Sequence, residues 1–402
     1  MVAMRSVDAH LAEILAAVRP LDPVVLGLDA ALGAILAEDV EAPVALPPFD
    51  NSAMDGYAVR AADVAAASED QPVVLPVTLD VAAGDGARRA VAAGHVTRIM
   101  TGAPVPEGAD AVVPVEWTDG GVSEVAIRRP APAGNAIRRS GEDVRPGDVV
   151  LSSGAVLGPA QLGIAAGVGR SAVRVRPRPR VLVLSTGAEL AEPGTPLAHG
   201  QIWESNSFTL VAAVRQAGGE AVRRRAVGDD PAEFKDTLDA LLGEADAVIT
   251  SGGISMGAYE PVKEALAPLG TVRFEKVAMQ PGMPQGFGLL GERQVPIFTL
   301  PGNPVSSYVS FVLFVKPALA VMRGLPAAPA PTVTATLTSA ARSPAGKRSF
   351  LRGVLGTDGA VAPVHGQGSH QLAALASANA LIVVPEDVTG LTEGEAVEVI
   401  PL

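Results

Sequence analysis

Cysteine is absent from all 402 residues. That excludes disulfides, thiolate-held zinc or iron–sulfur clusters, and thiol catalysis. Aromatic residues are scarce, at 3%. Positive charge is in deficit, with 31 Lys+Arg against 43 Asp+Glu and a net charge of −12. A nucleic-acid partner wants a basic face, so none is expected. A small anionic ligand stays open, because such a site is local. No apolar run is long enough to span a bilayer. The most hydrophobic stretch, 308–322, follows a Pro-Gly-Asn-Pro turn and is broken by Lys316 and Pro317. Near the N-terminus, Asp8 and Glu13 stand where a signal peptide needs an unbroken apolar run. A cytoplasmic protein without a membrane partner is expected. The length predicts two to four domains, and a hydrophobic fraction of 48% excludes wholesale disorder.

Residues 6–18 have helical spacing, with Val7, Leu11, Ile14, Leu15 and Val18 on one face and Ser6 as N-cap. A second helix is predicted over 24–37 from Val25, Leu28, Leu32 and Ile35. From 40 to 175 the chain reads as short β runs between Gly and Pro. The Arg- and Pro-rich segment 170–180 is read as a strand entering a linker, in preference to a basic binding patch. From 181 strands and helices alternate. VLVLS, AVRRRAV, ADAVIT, TVRFEKVA, GFGLL and VPIFTL are strands, and 206–217, 231–242, 260–267 and 304–322 are helices. That pattern predicts an α/β domain with a mostly parallel sheet. After the Pro/Ala-rich stretch 324–332, about 70 residues of short strands predict a small β-barrel or sandwich. No repeat with a period of 20–50 residues occurs.

Three glycine-bearing loops end strands of the α/β segment. They are Ser185-Thr186-Gly187, Ser251-Gly252-Gly253-Ile254-Ser255, and Pro301-Gly302-Asn303-Pro304 followed by Ser306 and Ser307. Open α/β sheets bind ligands beyond the carboxyl ends of their strands. Glycine lets backbone amides approach a phosphate, and hydroxyls add donors. One such loop would be ordinary turn chemistry; three on one sheet edge predict a pocket for a phosphorylated organic molecule. No loop fits GxxxxGK[ST] or a strand-linked GxGxxG. Ser251 is not in a GxSxG elbow, so serine hydrolysis is unsupported. Carboxylates cluster nearby: Glu189, Glu204, Asp229, Asp230 and Glu260. Beside phosphates they suit Mg2+, which is commonly held by one or two carboxylates plus phosphate oxygens. The alternative is that Asp230 and Glu260 are helix N-terminal acids; for Asp229-Asp230-Pro231 capping and function weigh about equally. Two further segments, PPFDNSAMDGYAVR (47–60) and RIMTGAPVPEGADAVVPVE (98–116), read as site segments because they combine polar turns with Phe49, Tyr57 and a Thr101-Gly102 pair.

These segments, together with SGEDVRPGDVVL, VLVLSTGAEL, PGTPL, GQIWESN, AVITSGGISMG and IFTLPGNPVSSYV, resemble the molybdenum-insertase family: the molybdopterin molybdenumtransferases such as MoeA, and the E domain of gephyrin. The resemblance runs over nearly the whole chain. It implies a multidomain α+β protein with a scaffold (1–45 and 137–178), an inserted β-rich lobe (46–136), a molybdopterin-binding α/β domain (179–325) and a C-terminal β-barrel (326–402). It also implies a head-to-tail homodimer with the site between subunits, and contacts with other molybdenum-cofactor biosynthesis proteins. The implied reaction converts adenylylated molybdopterin and molybdate to molybdenum cofactor and AMP, with Mg2+. By matching motif, the resemblance carries functional roles onto Asp55, Thr101, Asp143, Glu189 and one of Asp229 or Asp230, with Glu260 as a further acid. Glu189, Asp230 and Glu260 are the metal candidates. Arg352 and Ser369 match positions tied to oxyanion or substrate binding, and Arg suits a bidentate oxyanion contact.

Two departures stand out. The family's GExDY is Gly257-Ala258-Tyr259-Glu260 here, so the acid is one carbon longer. The family's KPGKP is Gln280-Pro281-Gly282-Met283-Pro284, so both lysines are lost. Losing two cations beside an anion weakens its binding by roughly a few kcal/mol in a partly desolvated site. The departures leave one alternative: a divergent relative that holds or delivers the pterin without efficient molybdate insertion.

Overall fold

The structure, a computed structural model, describes residues 4–224, 228, 230–254 and 260–402. The chain forms two compact units, one of Leu26–Leu32 and Glu38–Val173, the other of Met1–Val25, Gly33–Ala37 and Arg174–Leu402.

The first unit is β-rich. Its main sheet runs in the order Ala111–Pro114, Gly56–Val59, Val96–Ile99, Val73–Val81, Glu124–Ile127. Tyr57, Val59, Val64, Val96, Val113, Val125 and Ile127 fill its core. Tyr57 therefore differs from its reading as a site aromatic: it is buried, and its hydroxyl donates to the Gly121 carbonyl at 2.8 Å. Phe49 is exposed, as expected. The unit also holds a helix, Pro159–Gly167, inside the stretch read as β. Pro159 opens it, and the Gln161 side chain accepts from the Gly158 amide at 3.2 Å.

The helix expected over 24–37 does not form. Val24–Gly27 and Ile35–Leu36 are strands joined by turns. Val25 and Leu32, two of its supposed apolar face, are 70% and 52% exposed. β-Branched residues and two glycines, one of them (Gly33) at φ 74°, outweigh the apolar spacing.

In the second unit the helix Val7–Ala17 forms as predicted, with Ser6 accepting from the Ala9 amide. The α/β sheet contains β1 (Arg180–Ser185), β2 (Glu220–Arg223), β3 (Ala247–Ser251), β4 (Val272–Lys276), β6 (Pro284–Leu290) and β7 (Val295–Leu300), in the order β2-β1-β3-β7-β6-β4. The first four are mutually parallel; β6 runs antiparallel to β7 and to β4. The expected mostly parallel sheet is present. Helices Asn206–Gln216, Pro231–Leu242 and Pro261–Leu266 alternate with its strands.

Pro304–Met322 is a continuous helix, with π geometry over Phe311–Val315. Pro317 lacks an amide proton, and a locally wider turn just before it absorbs the missing bond. Against the expectation that this stretch is too short, the helix is by length and composition able to cross a membrane, because it continues through Lys316 and Pro317; 83% of its most apolar window is, however, buried inside the protein. Phe311, Phe314 and Leu319 pack there with Val7, Leu11 and Ile14 of the first helix and with Val183, Ile249 and Phe298 of the sheet.

The C-terminal strands β8 (Val333–Leu337), β9 (Arg348–Leu355), β10 (Ala360–Pro363), β11 (Ala380–Val384) and β12 (Ala396–Pro401) close into a barrel in the order β9-β10-β8-β12-β11, with β11 returning to β9. The short strand β5 (Met279–Gln280) pairs with β9 through Met279↔Arg348 and Gln280↔Ser349. That pairing ties the segment 280–284 to the barrel.

Candidate functional site

The three glycine-bearing loops emerge side by side because the sheet register aligns their strand ends. Ser185 pairs with Ser251, and Ser251 with Leu300. The Thr186 amide donates to the Ser251 carbonyl and the Gly252 amide to the Leu300 carbonyl, each at 3.1 Å. Gly252 holds φ 97°, and a Cβ there would stand 2.7 Å from the Thr186 carbonyl oxygen. Only glycine permits both that backbone and that approach.

Asn206, the first residue of the helix Asn206–Gln216, clamps two of the loops. Its amide donates to Ser251 Oγ at 2.8 Å and to the Gly302 carbonyl at 2.7 Å. Glu204, two residues earlier, is only 2% exposed. It accepts from Ser185 Oγ at 2.9 Å, from the Ser207 amide at 2.8 Å and from Ser207 Oγ, and it pairs with Arg223 at 3.3 Å. Burial pulls the Arg223 guanidinium down, but hydrogen bonds to Glu192 and Glu204 outweigh it and hold the group above its ordinary value. Glu204 is therefore a buried brace of the Ser185 loop. The barrel supplies the facing wall: Ser369 Oγ accepts from Asn303 Nδ2 at 3.0 Å, and the Ser369 carbonyl accepts from the Val305 amide at 3.1 Å.

Together these elements enclose a cavity of about 800 Å3. Of the residues expected at the site, Ser185, Thr186, Gly187, Glu189, Ser251, Gly252, Gly253, Glu260, Pro301, Gly302, Asn303, Ser306 and Ser369 line it. Asn206, Gln280, Trp203 and His370 line it as well. Among the described residues no Lys or Arg does. Gln280 faces the cavity, whereas Met283 is not part of its lining.

Other expected residues lie elsewhere. Asp230 caps the helix Pro231–Leu242, accepting from the Ala232 amide at 2.8 Å, and is not in the cavity lining. Arg352 is 0% exposed and donates through Nη2 to the carbonyls of Gly366 and Gly368, at 2.7 and 3.2 Å. Its Nε and Nη1 find no acceptor, and burial lowers its pKa. It braces the loop that presents Ser369. Asp55, Thr101 and Asp143 belong to the other unit. Asp55 Oδ1 accepts from the Thr101 amide at 2.7 Å and from Thr101 Oγ1 at 2.9 Å. Those bonds hold the Asp55 carboxyl below its usual range. Asp143 is exposed, and its amide donates to the Leu46 carbonyl at 3.1 Å. Asp229 and Ser255 lie outside the described residues.

No group of three His, Asp or Glu side chains among the described residues stands close enough to hold a metal by itself. Glu189 and Glu260 do line one cavity with the phosphate-type loops. Mg2+ is commonly held by one or two carboxylates, the donor type these two residues supply.

Asn206 escaped sequence reasoning although it stood in the quoted GQIWESN segment. Its one signal was a polar amide opening a helix directly beyond a strand end. Trp203, in the same segment, is one of only two tryptophans in the chain.

Comparison with known proteins covers the whole chain. Residues 5–169 match the family model described as the MoeA N-terminal region (domain I and II). Residues 182–321 match a probable molybdopterin binding domain, and 334–402 the MoeA C-terminal region (domain IV). The chain is 50% identical over 403 residues to molybdopterin molybdenumtransferase 2 of Mycobacterium tuberculosis, covering 98% of this chain and 99% of that protein. It is 38% identical over 385 residues to the molybdopterin molybdenumtransferase of Haemophilus influenzae, covering 94% and 93%. Among solved structures, the molybdopterin biosynthesis MoeA protein of Pyrococcus horikoshii superposes with a TM-score of 0.83 at 32% identity, over 99% of each chain.

Proposed function

Because the chain belongs to the MoeA family of molybdopterin molybdenumtransferases, we propose that it inserts molybdenum into adenylylated molybdopterin, releasing AMP and giving molybdenum cofactor. The observation that carries this reading is the convergence of three phosphate-type loops, in register, on one cavity of about 800 Å3. Backbone amides of the three loops, with the Ser306 hydroxyl, bind the phosphate groups of the adenylylated pterin, while Ser185, donating to Glu204, and Ser251, accepting from Asn206, hold their loops in place. Glu189 and Glu260, which line the cavity, are the residues that would hold Mg2+ beside the substrate. When bound, Mg2+ neutralises charge at the phosphoanhydride. This matters here because no Lys or Arg among the described residues lines the cavity. The substrate carries its own dithiolene sulfurs, so a chain without cysteine loses nothing by it.

Ser369 and Arg352 serve the oxyanion side, Ser369 directly and Arg352 by bracing the loop beneath it. In a head-to-tail homodimer Asp55 and Thr101 would face the α/β loops of the second subunit, and Asp143 is a further functional acid. The scaffold (1–45 and 137–178), inserted lobe (46–136), pterin-binding domain (179–325) and barrel (326–402) are the corresponding domains. The ends of the matched regions, at 169, 182, 321 and 334, support the last two divisions. We place the protein in the cytoplasm, where other proteins of cofactor biosynthesis would supply the pterin and accept the product. A pterin holder without efficient insertion is not favoured, since relatives alike over their full length carry the transferase name.

The test is AMP release from adenylylated molybdopterin by the purified protein. Release only with molybdate and Mg2+ both present is expected. Tight pterin binding without AMP release would reject the transferase reading.

A further inference from the structure

The cavity that gathers the phosphate-type loops has one wall of a different chemistry. Ile202 and Trp203 form a short strand that pairs in parallel with Leu190–Ala191, and both line the cavity. They are nonetheless 56% and 53% exposed. Large apolar side chains so open are seldom held in place, yet these are fixed on both sides. The Ile202 amide donates to the Glu189 carbonyl and the Glu204 amide to the Ala191 carbonyl, each at 2.9 Å. Buried Glu204 anchors the chain immediately afterwards. The indole itself is pinned, because Trp203 Nε1 donates to the Thr195 carbonyl at 2.9 Å. With its one donor spent inside the protein, the ring offers its cavity only π faces and apolar carbon. Such a surface serves no phosphate, but suits a flat heteroaromatic ring carried on the same molecule.

Resting on the function proposed above, we propose that Trp203 is the stacking platform for a planar heteroaromatic ring of the phosphorylated substrate. The ring lies against the indole while its phosphate lies in the loops. Two rings share this chemistry, the adenine and the pterin of an adenylylated pterin. The immobilised indole pays no ordering cost when the ring arrives, so stacking appears directly in affinity. Truncation to alanine should weaken a stacked base about 5- to 100-fold.

The experiment uses the full chain carrying Trp117→Phe, which leaves Trp203 as the sole tryptophan; Trp117 lies in the other unit. AMP, a phosphorylated pterin and ribose 5-phosphate are titrated separately, by tryptophan fluorescence and by calorimetry. Saturable quenching by AMP alone assigns adenine to the platform, and by the pterin alone assigns the pterin. Ribose 5-phosphate should bind without quenching. Trp203→Ala should raise the Kd of the quenching ligand about 5- to 100-fold and leave that of ribose 5-phosphate unchanged, and Trp203→Phe should recover most of the loss. Equal affinity of Trp203→Ala and its parent for AMP and for the pterin would overturn the proposal while leaving the functional reading standing. So would a parent that binds both rings without quenching. A Trp203→Ala protein that changes oligomeric state and weakens all three ligands alike would overturn it too, assigning Trp203 to a subunit interface. Failure of the parent to bind any of the three would overturn the functional reading, and the platform with it.

Discussion

Replacing Asn206 by alanine tests whether the loops work as one preorganised unit. The side chain gives two hydrogen bonds from one amide, to Ser251 Oγ at 2.8 Å and to the Gly302 carbonyl at 2.7 Å. A neutral hydrogen bond contributes about 0.5–1.5 kcal/mol net. Ser251 Oγ keeps contacts with Ser307 Oγ and the Pro301 carbonyl, at 3.3 and 3.4 Å. The Gly302 carbonyl sits at the exposed end and can turn to water. The loss is therefore about 1–2 kcal/mol, paid when the ligand must order loops that Asn206 no longer joins. Expressed in KM for adenylylated molybdopterin, that is roughly 5- to 30-fold. Asn206→Asp is the sharper variant. It keeps the shape, removes both donors, and sets a negative charge against a carbonyl beside a phosphate site. KM should therefore rise in the order Asn, Ala, Asp. The assay is AMP release with a matched thermal melt, so that a binding defect is separated from unfolding. Wild-type KM in Asn206→Ala, or an aspartate variant that binds better than alanine, would refute the reasoning.

Three further outcomes follow from the same geometry. Glu204→Ala strands Ser185, Ser207 and Arg223 together; because Arg223 keeps Glu192 at 2.8 Å, the stability loss should fall near about 3 kcal/mol, the low end for breaking a buried ion pair, read by urea denaturation. Gln280→Lys should tighten anion binding about tenfold at low salt, and less as salt rises, because position 280 lines the cavity. Met283→Lys should do little, and calorimetry with inorganic phosphate or molybdate separates the two. His10 is 4% exposed against Phe314, and burial lowers its pKa from 6.5 to about 4. The unfolded chain thus binds this proton at a higher pH than the folded one. The stabilisation is complete above pH 6.5 and is lost, by roughly 3 kcal/mol, as pH falls toward 4. His10→Leu should flatten urea midpoints across that window.

Much of the site was legible because its chemistry is local. Ser-Thr-Gly, Ser-Gly-Gly and Pro-Gly-Asn-Pro each close a strand, and a glycine that must take positive φ leaves its mark in the residue itself. The predicted helices at 6–18, 206–217, 231–242 and 304–322 came within a residue or two for the same reason: N-caps, prolines at first turns and apolar spacing act within one or two turns. The failures mark where that locality ends. The 24–37 stretch had apolar spacing without a partner face, and Val25 and Leu32 remained in solvent. Tyr57 sat in a polar-looking segment, but its strand is covered by neighbours distant in sequence. Asp230, weighed equally as cap and as site acid, is no such failure: its bond to the Ala232 amide bears out one of the two readings.

By itself, then, the sequence determined the alternation of strands and helices, the three loops able to face a phosphate, and a chemistry that must manage without thiols. Each follows from bonding within a few residues. Only the tertiary structure decided that Ser185, Ser251 and Leu300 end in register. It alone joined Asn206 to partners 45 and 96 positions away, and brought Ser369 of the barrel against Asn303. It also buried Arg352 behind the wall, so that the guanidinium braces a loop. Strand register and domain packing are collective choices among distant surfaces, and no spacing along the chain records them.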